Sequence, residues 1–262
     1  MADLMKGKRG LVMGVANDHS IAWGIARSLA AEGAELAFSF QGEAFGRRVG
    51  PLAESVGSSL LLDVDVTDET SMDVAFGRIA DEWGGLDFVV HAIAYSDKAE
   101  LSGRYADTSR QNFLNSMEIS CYSLVDVARR SAPLMKDGGA IITMTYLGAQ
   151  RVMPNYNVMG VAKAALEASV RYLANDFGPD GIRVNAVSPG PMRTLAGSAI
   201  GGARKVYKNT EENAPLRRNA ALDNVGGAAL YLCSDLGAGT SGEIIFVDGG
   251  YHAIGMAQPG NL

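Results

Sequence analysis

Short apolar runs alternate with amphipathic stretches along almost the whole chain. The runs predict buried strands at 9–15, 35–40, 59–64, 86–91, 140–144, 182–187 and 244–247. Between them, apolar positions at helical spacing predict helices at 21–31, 45–56, 72–83, 110–135, 155–177 and 223–233, the second broken at Gly50-Pro51. Strands that alternate with helices form right-handed crossovers and a parallel sheet covered on both faces. The pattern therefore predicts one doubly wound α/β domain over residues 1–262, with about seven strands.

Composition excludes several classes of protein. The chain has 262 residues, 47% of them apolar, enough for a single domain with a large core. A net charge of −6 and a pI of about 5.1 argue against a nucleic-acid partner. Cys121 and Cys233 lie in apolar helical patterns and are predicted to be buried free thiols, and the three scattered histidines predict no metal site. No apolar run reaches the ~18 residues of a membrane span and no signal peptide is evident, so we expect a cytoplasmic protein.

Two tyrosines and a lysine lie between the fifth predicted strand and the helix that follows it: Tyr146, Tyr156 and Lys163. This edge of an open α/β sheet is where ligands bind. Tyr156 and Lys163 are seven residues apart, which places them about 20° apart on one helix face with a rise of roughly 10 Å. A neutral phenol can hydrogen-bond a developing oxyanion, and an ammonium stabilises the same charge. On spacing alone, a helix-start aromatic and a solvated lysine remain an equal alternative.

The first strand-to-helix turn has features of a nucleotide site. Gly14 allows a tight turn, and the helix that opens at Ser20 offers free amides and a positive dipole end to a pyrophosphate. The G-x-G-x-x-G fingerprint is absent, so the turn on its own also fits ordinary structural punctuation. The turn is therefore weak evidence for a nucleotide by itself, and the Rossmann-like fold is predicted from the alternation of strands and helices.

The ends of the next strands bear on which cofactor binds. Gln41 stands where such folds carry an acid for the ribose hydroxyls or an arginine for a 2′-phosphate, and this neutral amide favours NADH over NADPH. Arg47 and Arg48 leave NADPH open. Asp65 and Val66 are placed to meet the adenine, although an Asp before Thr67 also forms turns.

Longer motifs give a family resemblance. Gly14 with residues 20–22, the stretch 185–191 and the end of the last strand at 247–250 resemble landmarks of the short-chain dehydrogenase/reductase superfamily. That superfamily usually spaces its tyrosine and lysine by four, and none of the nine tyrosines here has a lysine four residues later. The Tyr156–Lys163 pair, with residues 146–149, 154–160 and 193–196, instead resembles the bacterial NADH-dependent enoyl-[acyl-carrier-protein] reductases. The resemblance covers about residues 5–255.

The resemblance implies that NADH reduces the trans-2 double bond of enoyl thioesters on acyl carrier protein, the last step of type II fatty-acid elongation. Tyr156 would stabilise the enolate and Lys163 would bind the nicotinamide ribose, with Tyr146 as a second active-site tyrosine. The implied substrate contacts are Ser96, Tyr146 and Tyr156. The implied cofactor contacts are Gly14, Ser20, Ile21, Gln41, Asp65, Val66, Ile93, Lys163, Met192, Arg193, Thr194, Leu195 and Ala196.

Further expectations concern the substrate end of the chain. The Gly-rich segment 194–213 is predicted to be a mobile lid, and Arg204, Lys205 and Lys208 within it are hypothesised to dock the acidic carrier protein. The family resemblance implies a homotetramer, and a flexible tail is predicted from about residue 257. Ala94 replaces a glycine common in the family, which predicts altered sensitivity to biphenyl-ether inhibitors, and Met192 stands where isoleucine is frequent.

Two rival functions remain at this stage. A ketone or alcohol dehydrogenase would need tyrosine four residues before Lys163, where Met159 stands. A nucleotide-binding sensor without turnover would keep Gly14 and Ser20 and lose Tyr156 or Lys163. A metal-dependent hydrolase would need ligand clusters that the sequence lacks.

Overall fold

Parallel strands form one sheet in the order β3-β2-β1-β4-β5-β6-β7. The computed structural model describes residues 3–195, 197 and 201–261. Its strands are β1 Arg9–Met13, β2 Glu35–Phe40, β3 Leu60–Asp63, β4 Phe88–His91, β5 Gly139–Met144, β6 Ile182–Pro189 and β7 Ile244–Val247. Strand order reverses between β1 and β4, which opens a crevice at the carboxyl ends of the strands. The predicted doubly wound α/β fold is confirmed.

Helices cover both faces of the sheet. Their bounds are α1 Ile21–Ala31, α2 Glu43–Ser55, α3 Glu69–Trp83, α4 Arg110–Met117, α5 Ser123–Ser131, α6 Asn157–Phe177, α7 Ala203–Asn213 and α8 Leu222–Cys233. One buried apolar cluster packs α3, α5 and α6 on one face, and a second packs α1, α2 and α8 on the other. Cys121 and Cys233 are buried free thiols, as predicted. Among the described residues, no helix is long and apolar enough to cross a membrane.

Two predicted helices differ from the observed ones. The expected break at Gly50-Pro51 was wrong, because α2 continues through Pro51 while Val49 and Ala53 stay fully buried on either side of it. Exposed Pro51 costs one helical hydrogen bond, which that burial outweighs. The predicted helix 110–135 is divided by a π-helical turn, Glu118–Tyr122, and ends in a 3-10 turn, Ala132–Leu134. The Ser120 hydroxyl in the π turn hydrogen-bonds the amide and carbonyl of Tyr95.

The chain end contacts α7. Residues from about 257 are predicted to be flexible, and Pro259–Asn261 forms a 3-10 turn there. The Gln258 amide donates to Asn213 Oδ1 at 2.8 Å, and Asn261 Nδ2 donates to the Glu212 carbonyl at 3.2 Å. The second contact satisfies a backbone carbonyl at the carboxyl end of α7 that the helix itself leaves free. Of the predicted lid, residues 196 and 198–200 lie outside the described residues.

Candidate active site

Tyr146, Tyr156 and Lys163 meet at the carboxyl end of β5. Tyr156 is the N-cap residue of α6, which begins two residues later than predicted because Asn155 has a left-handed φ of +56°. The Tyr146 and Tyr156 rings contact edge to face, with centroids 5.0 Å apart and planes at 71°. Lys163 is buried, which is rare for a lysine in a folded protein, and its Nζ donates to the Met144 carbonyl at 2.8 Å. Tyr156 contacts Tyr146, and Lys163 contacts Met144 two residues before Tyr146, so both side chains lie against the segment that ends β5.

Two glycines allow this close packing. A Cβ on Gly148 would lie 2.3 Å from Tyr156 Cδ1, and a Cβ on Gly160 would lie 2.8 Å from the Gly148 carbonyl oxygen. Any larger residue would push the 3-10 turn Leu147–Ala149 away from α6. The two glycines thus set the distance between the two elements that carry the tyrosines.

Burial sets the protonation states of the site. It raises the pKa of Tyr156 far above its usual value, and the nearby Tyr146 and Glu167 add to that effect. Burial also raises the pKa of Tyr146 to about 12 and lowers the pKa of Lys163 to about 8. At neutral pH both phenols are therefore protonated and Lys163 is mostly cationic. This combination suits hydrogen-bond donation to an oxyanion rather than proton abstraction.

The β1–α1 turn is built mainly from backbone. Gly14 has a φ of +95°, and a Cβ there would lie 2.1 Å from the Ala92 carbonyl oxygen. The Ser20 hydroxyl accepts from the amides of Ala16 and Asn17 at 3.0 and 3.1 Å, so it shapes the loop. Within the described part of the chain, the first amides of α1, at Ile21 and Ala22, have no hydrogen-bond partner. Free amides at a helix N-terminus fit the pyrophosphate of a dinucleotide.

The ends of β2 and β3 are joined by carboxylates. Gln41 Nε2 donates to Asp65 Oδ2 at 2.9 Å, and Asp65 Oδ1 accepts from the amide and hydroxyl of Thr67. The Thr67 amide is the main reason that the pKa of Asp65 lies below its usual value, with the Thr67 hydroxyl and Gln41 contributing less. Asp63 accepts from the Gly42 amide at 2.7 Å. Two anionic side chains at this edge disfavour a 2′-phosphate and fit an unphosphorylated adenosine ribose.

The remaining predicted residues follow β3, β4 and β6 in the chain. Ile93 and Val66 are half-buried beside the core, and Ala94 is exposed. Ser96 Oγ donates to Asn112 Oδ1 at 3.2 Å, which ties it to α4.

The segment after β6 contacts α7. The Arg193 guanidinium lies 4.7 Å above the Tyr207 ring of α7, and Thr194 Oγ1 accepts from the Gly197 amide. A cavity of about 210 Å³ is lined by His19, Met192, Arg193, Tyr207, Ala220, Ala221 and Leu222. Leu195 follows Thr194 and is exposed, and Ala196 lies outside the described residues.

Comparison with known proteins decides the family. The family model described as "Enoyl-(Acyl carrier protein) reductase" matches residues 14–252. The chain belongs to the enoyl-[acyl-carrier-protein] reductase family. It is 61% identical to enoyl-[acyl-carrier-protein] reductase [NADH] 2 of Rhizobium meliloti, over 98% of this chain and 96% of that protein.

Solved structures of enoyl-[acyl-carrier-protein] reductases have the same fold. The Anaplasma phagocytophilum reductase, in complex with NAD, is 58% identical, with a TM-score of 0.95 and 97% of each chain covered. The Bacillus cereus reductase, with NADP+ and an indole naphthyridinone, is 50% identical, with a TM-score of 0.95, covering 97% of this chain and 99% of that one. The expected family is thereby confirmed, and the ketone or alcohol dehydrogenase alternative is set aside.

Two buried polar residues near the reductase site were missed by sequence reasoning. His91 is fully buried, with Nδ1 2.9 Å from Thr143 Oγ1 and Nε2 2.8 Å from Ser123 Oγ. Burial, aided by the Lys163 charge, lowers the pKa of His91 to about 3, so it is neutral. Glu167 is also buried, one turn after Lys163 on α6. Its position among the apolar residues of that helix was the signal that could have identified it.

Proposed function

We propose that this chain reduces the trans-2 double bond of enoyl thioesters on acyl carrier protein, with NADH as the hydride donor. The observation that carries the proposal is the buried Tyr156–Lys163 pair at the carboxyl end of β5, in a chain of this family. The sensor alternative predicts loss of one of these residues, and both are present in one buried site. Relatives from Rhizobium meliloti and Bacillus cereus carry the name of the NADH-dependent reductase.

When bound, NADH would supply a hydride to the β-carbon of the substrate, which would leave the enolate charge on the thioester carbonyl oxygen. Tyr156 stabilises that charge by donating a hydrogen bond, which its raised pKa keeps available. The Lys163 ammonium lies on the same helix face and adds a positive charge beside it. A proton from solvent water would then add to the α-carbon, which converts the enolate to the saturated thioester. Tyr146, in edge contact with Tyr156, is proposed to orient the thioester.

Cofactor binding divides between two ends of the crevice. The turn formed by Gly14, Ser20 and Ile21 would take the pyrophosphate, because free amides of α1 point into it. Gln41, Asp65 and Val66 would hold the adenosine, with Asp63 and Asp65 disfavouring a 2′-phosphate. Ile93, Lys163 and the segment from Met192 through Ala196 would line the nicotinamide end. Ser96, near the end of β4, would contact the substrate.

Carrier-protein docking is proposed for the first two turns of α7. Arg204, Lys205 and Lys208 are exposed there, and Arg204 and Lys208 are one turn apart on one helix face. Lys208 Nζ lies 3.4 Å from Glu212, an exposed pair that contributes little by itself. Reversing all three charges should raise the KM for carrier-bound enoyl substrate and leave that for a short pantetheine thioester unchanged. An unchanged KM for the carrier-bound substrate would remove this surface from the proposal.

The assembly and location are part of the same proposal. β7 lies at the sheet edge and all four of its apolar residues are half-exposed, which supports an interface between copies in a homotetramer. Sedimentation of a stable monomer would contradict it. Two free, buried thiols are compatible with a reducing cytoplasm, which cell fractionation would test.

The deciding experiment follows nicotinamide absorbance with a trans-2-enoyl thioester, comparing NADH with NADPH. Tyr156→Phe should lose roughly 100-fold or more in kcat because only the hydroxyl is removed. Tyr172→Phe is the matched control, since Tyr172 is on the same helix and 74% exposed. Tight cofactor binding without turnover in the wild type would instead support the sensor function.

A further inference from the structure

Glu167, a buried carboxylate on α6, has no part in the reaction described above. It is 5% exposed, and charged side chains are buried to this extent only when they have partners. Within the described part of the chain, no lysine, arginine or histidine forms an ion pair with it. The carboxylate is hydrogen-bonded instead by two neutral donors. Loss of either donor would leave a buried carboxylate oxygen without a partner, which is energetically unfavourable.

Both donors belong to the segment that carries Tyr146. Thr145 Oγ1 donates to Glu167 Oε1 at 2.9 Å, and Gln150 Nε2 donates to Glu167 Oε2 at 2.9 Å. Thr145 immediately precedes Tyr146, and Gln150 immediately follows the 3-10 turn Leu147–Ala149. One carboxylate therefore fixes both ends of the segment 145–150, which we call the tyrosine loop, to α6.

Two further contacts join the tyrosine loop and β5 to the same face of α6. Gly160 packs against the Gly148 carbonyl, and Lys163 Nζ binds the Met144 carbonyl. Positions 160, 163 and 167 are three and four residues apart, which is the spacing of neighbours on one helix face. Of these contacts, only those of Glu167 hold the loop at both of its ends.

We propose that Glu167 is a positioning residue, whose carboxylate fixes the tyrosine loop on α6 and thereby sets the position of Tyr146 against Tyr156 and the thioester. This rests on the proposed function, because thioester reduction is the readout. A carboxylate suits the role because both of its oxygens accept, one from a hydroxyl and one from an amide. A glutamine at this position would offer only one acceptor, and Gln150 would have to turn its amide over.

The effect is tested with Glu167→Ala, Glu167→Gln and the exchange Gln150→Glu/Glu167→Gln. Glu167→Ala should lower kcat roughly 10- to 100-fold, because small misplacements of reacting groups have effects of this size. The Kd for NADH should change less than about twofold, since other elements form the nucleotide end. Glu167→Gln should have a smaller effect on kcat.

The exchange variant Gln150→Glu/Glu167→Gln is the more specific test. In it, the glutamine at 167 can still accept from Thr145 and can donate to the glutamate at 150, so both hydrogen bonds are re-formed. We expect kcat to return to within about threefold of wild type, while Gln150→Glu alone, with two facing carboxylates, lowers it. Asp176→Asn, an exposed carboxylate on the same helix, should leave kcat unchanged.

Two results would overturn the proposal. One is a folded Glu167→Ala protein with wild-type kcat, and the other is an exchange variant no better than Gln150→Glu alone. If Glu167→Ala does not fold, Thr145→Val and Thr145→Ser replace it, since only serine keeps the hydroxyl. Equal kcat for those two variants would also reject the proposal. A wild-type protein without turnover would reject the proposed function instead, so the two failures are distinguishable.

Discussion

The β5–α6 turn and the β1–α1 turn lie at the same edge of the sheet but are built from different atoms. In the first, the buried side chains of Lys163 and Glu167 bind the end of β5 and the tyrosine loop, and two tyrosine rings touch. In the second, Gly14 approaches the Ala92 carbonyl and the free amides of α1 face the turn. The first turn depends on which side chains are present, and the second depends on the path of the backbone.

This difference predicts which kinds of substitution would impair the β5–α6 turn and which would impair the β1–α1 turn. A side-chain site fails when a functional group is removed, even if the new residue has the same volume. A backbone site tolerates such changes and fails when an added atom displaces the chain. The following variants test that division, beginning with the largest expected effect.

Lys163→Met should have the largest effect, because it removes a buried ammonium and keeps most of the side-chain volume. We expect kcat/KM to fall roughly 100- to 1000-fold, as for other groups that stabilise developing charge. Lys136→Met, at an exposed lysine, is the control. Steady-state kinetics with wild-type values for Lys163→Met would show that the catalytic half does not depend on this side chain.

Gly14→Ala should disturb the nucleotide half by adding one methyl group. Its Cβ would lie 2.1 Å from the Ala92 carbonyl oxygen at a φ of +95°, so the turn must move. We expect stability to fall by about 1–3 kcal/mol and the Kd for NADH to rise at least roughly tenfold. Gly77→Ala, in α3 with open space around it, should instead be stabilising by about 0.5–1 kcal/mol. Equal thermal unfolding of the two variants would contradict the backbone interpretation.

The pH dependence of Lys163 should have opposite signs for activity and stability. Its pKa of about 8 predicts that kcat/KM falls about tenfold per pH unit above pH 8, as the ammonium is lost. Between pH 8 and the ordinary lysine pKa, the unfolded chain binds the proton and the folded chain does not. The contribution of Lys163 to unfolding free energy therefore rises with pH in that window. Chemical unfolding of wild type and Lys163→Met across pH 7–10 would measure this contribution as the difference between their unfolding free energies. A difference that falls with pH would contradict a lowered pKa for Lys163.

Gln41→Arg should have the smallest effect. An arginine there could bind a 2′-phosphate, but Asp63 and Asp65 compete for it. We expect the preference for NADH over NADPH to shift by only about three- to tenfold, and further when Asp65→Asn is added. Arg47→Gln should not change it, because Arg47 is exposed and paired with Glu43. A full reversal by Gln41→Arg alone would show that the carboxylates have no influence on cofactor choice.

The sequence predicted those parts of the fold that depend on apolar periodicity. Strand β7 has the predicted bounds, and α6 ends where its pattern ends, at Phe177. The π-helical turn that divides the predicted helix 110–135 and the continuation of α2 through Pro51 depend on tertiary contacts instead. Ser120 binds Tyr95, which is distant in sequence, and Val49 and Ala53 are held by the sheet. Apolar periodicity within a helix cannot predict contacts with residues that are distant in the sequence.

The site divides in the same way. The Tyr156–Lys163 spacing could be interpreted because seven residues on a helix define an angle. Glu167 could not be assigned, because its partners Thr145 and Gln150 become neighbours only when the loop folds back on α6. The position of Gln41 at the end of β2 could be predicted from the sequence. Its hydrogen bond to Asp65 could not, because the sequence does not show that β2 and β3 are neighbours in the sheet.

The imidazole of His91 makes the molecule a convenient object for proton NMR. Both ring nitrogens are hydrogen-bonded and the ring has no exposed surface, so its N–H proton should exchange slowly with water and give a resolved downfield signal. With a pKa of about 3, that signal should not titrate between pH 5 and 9. The residues that follow His91 in the chain lead directly into the crevice. A shift of this resonance on adding a nucleotide or thioester would therefore report a change at the carboxyl end of β4, because the ring does not change protonation in this pH range.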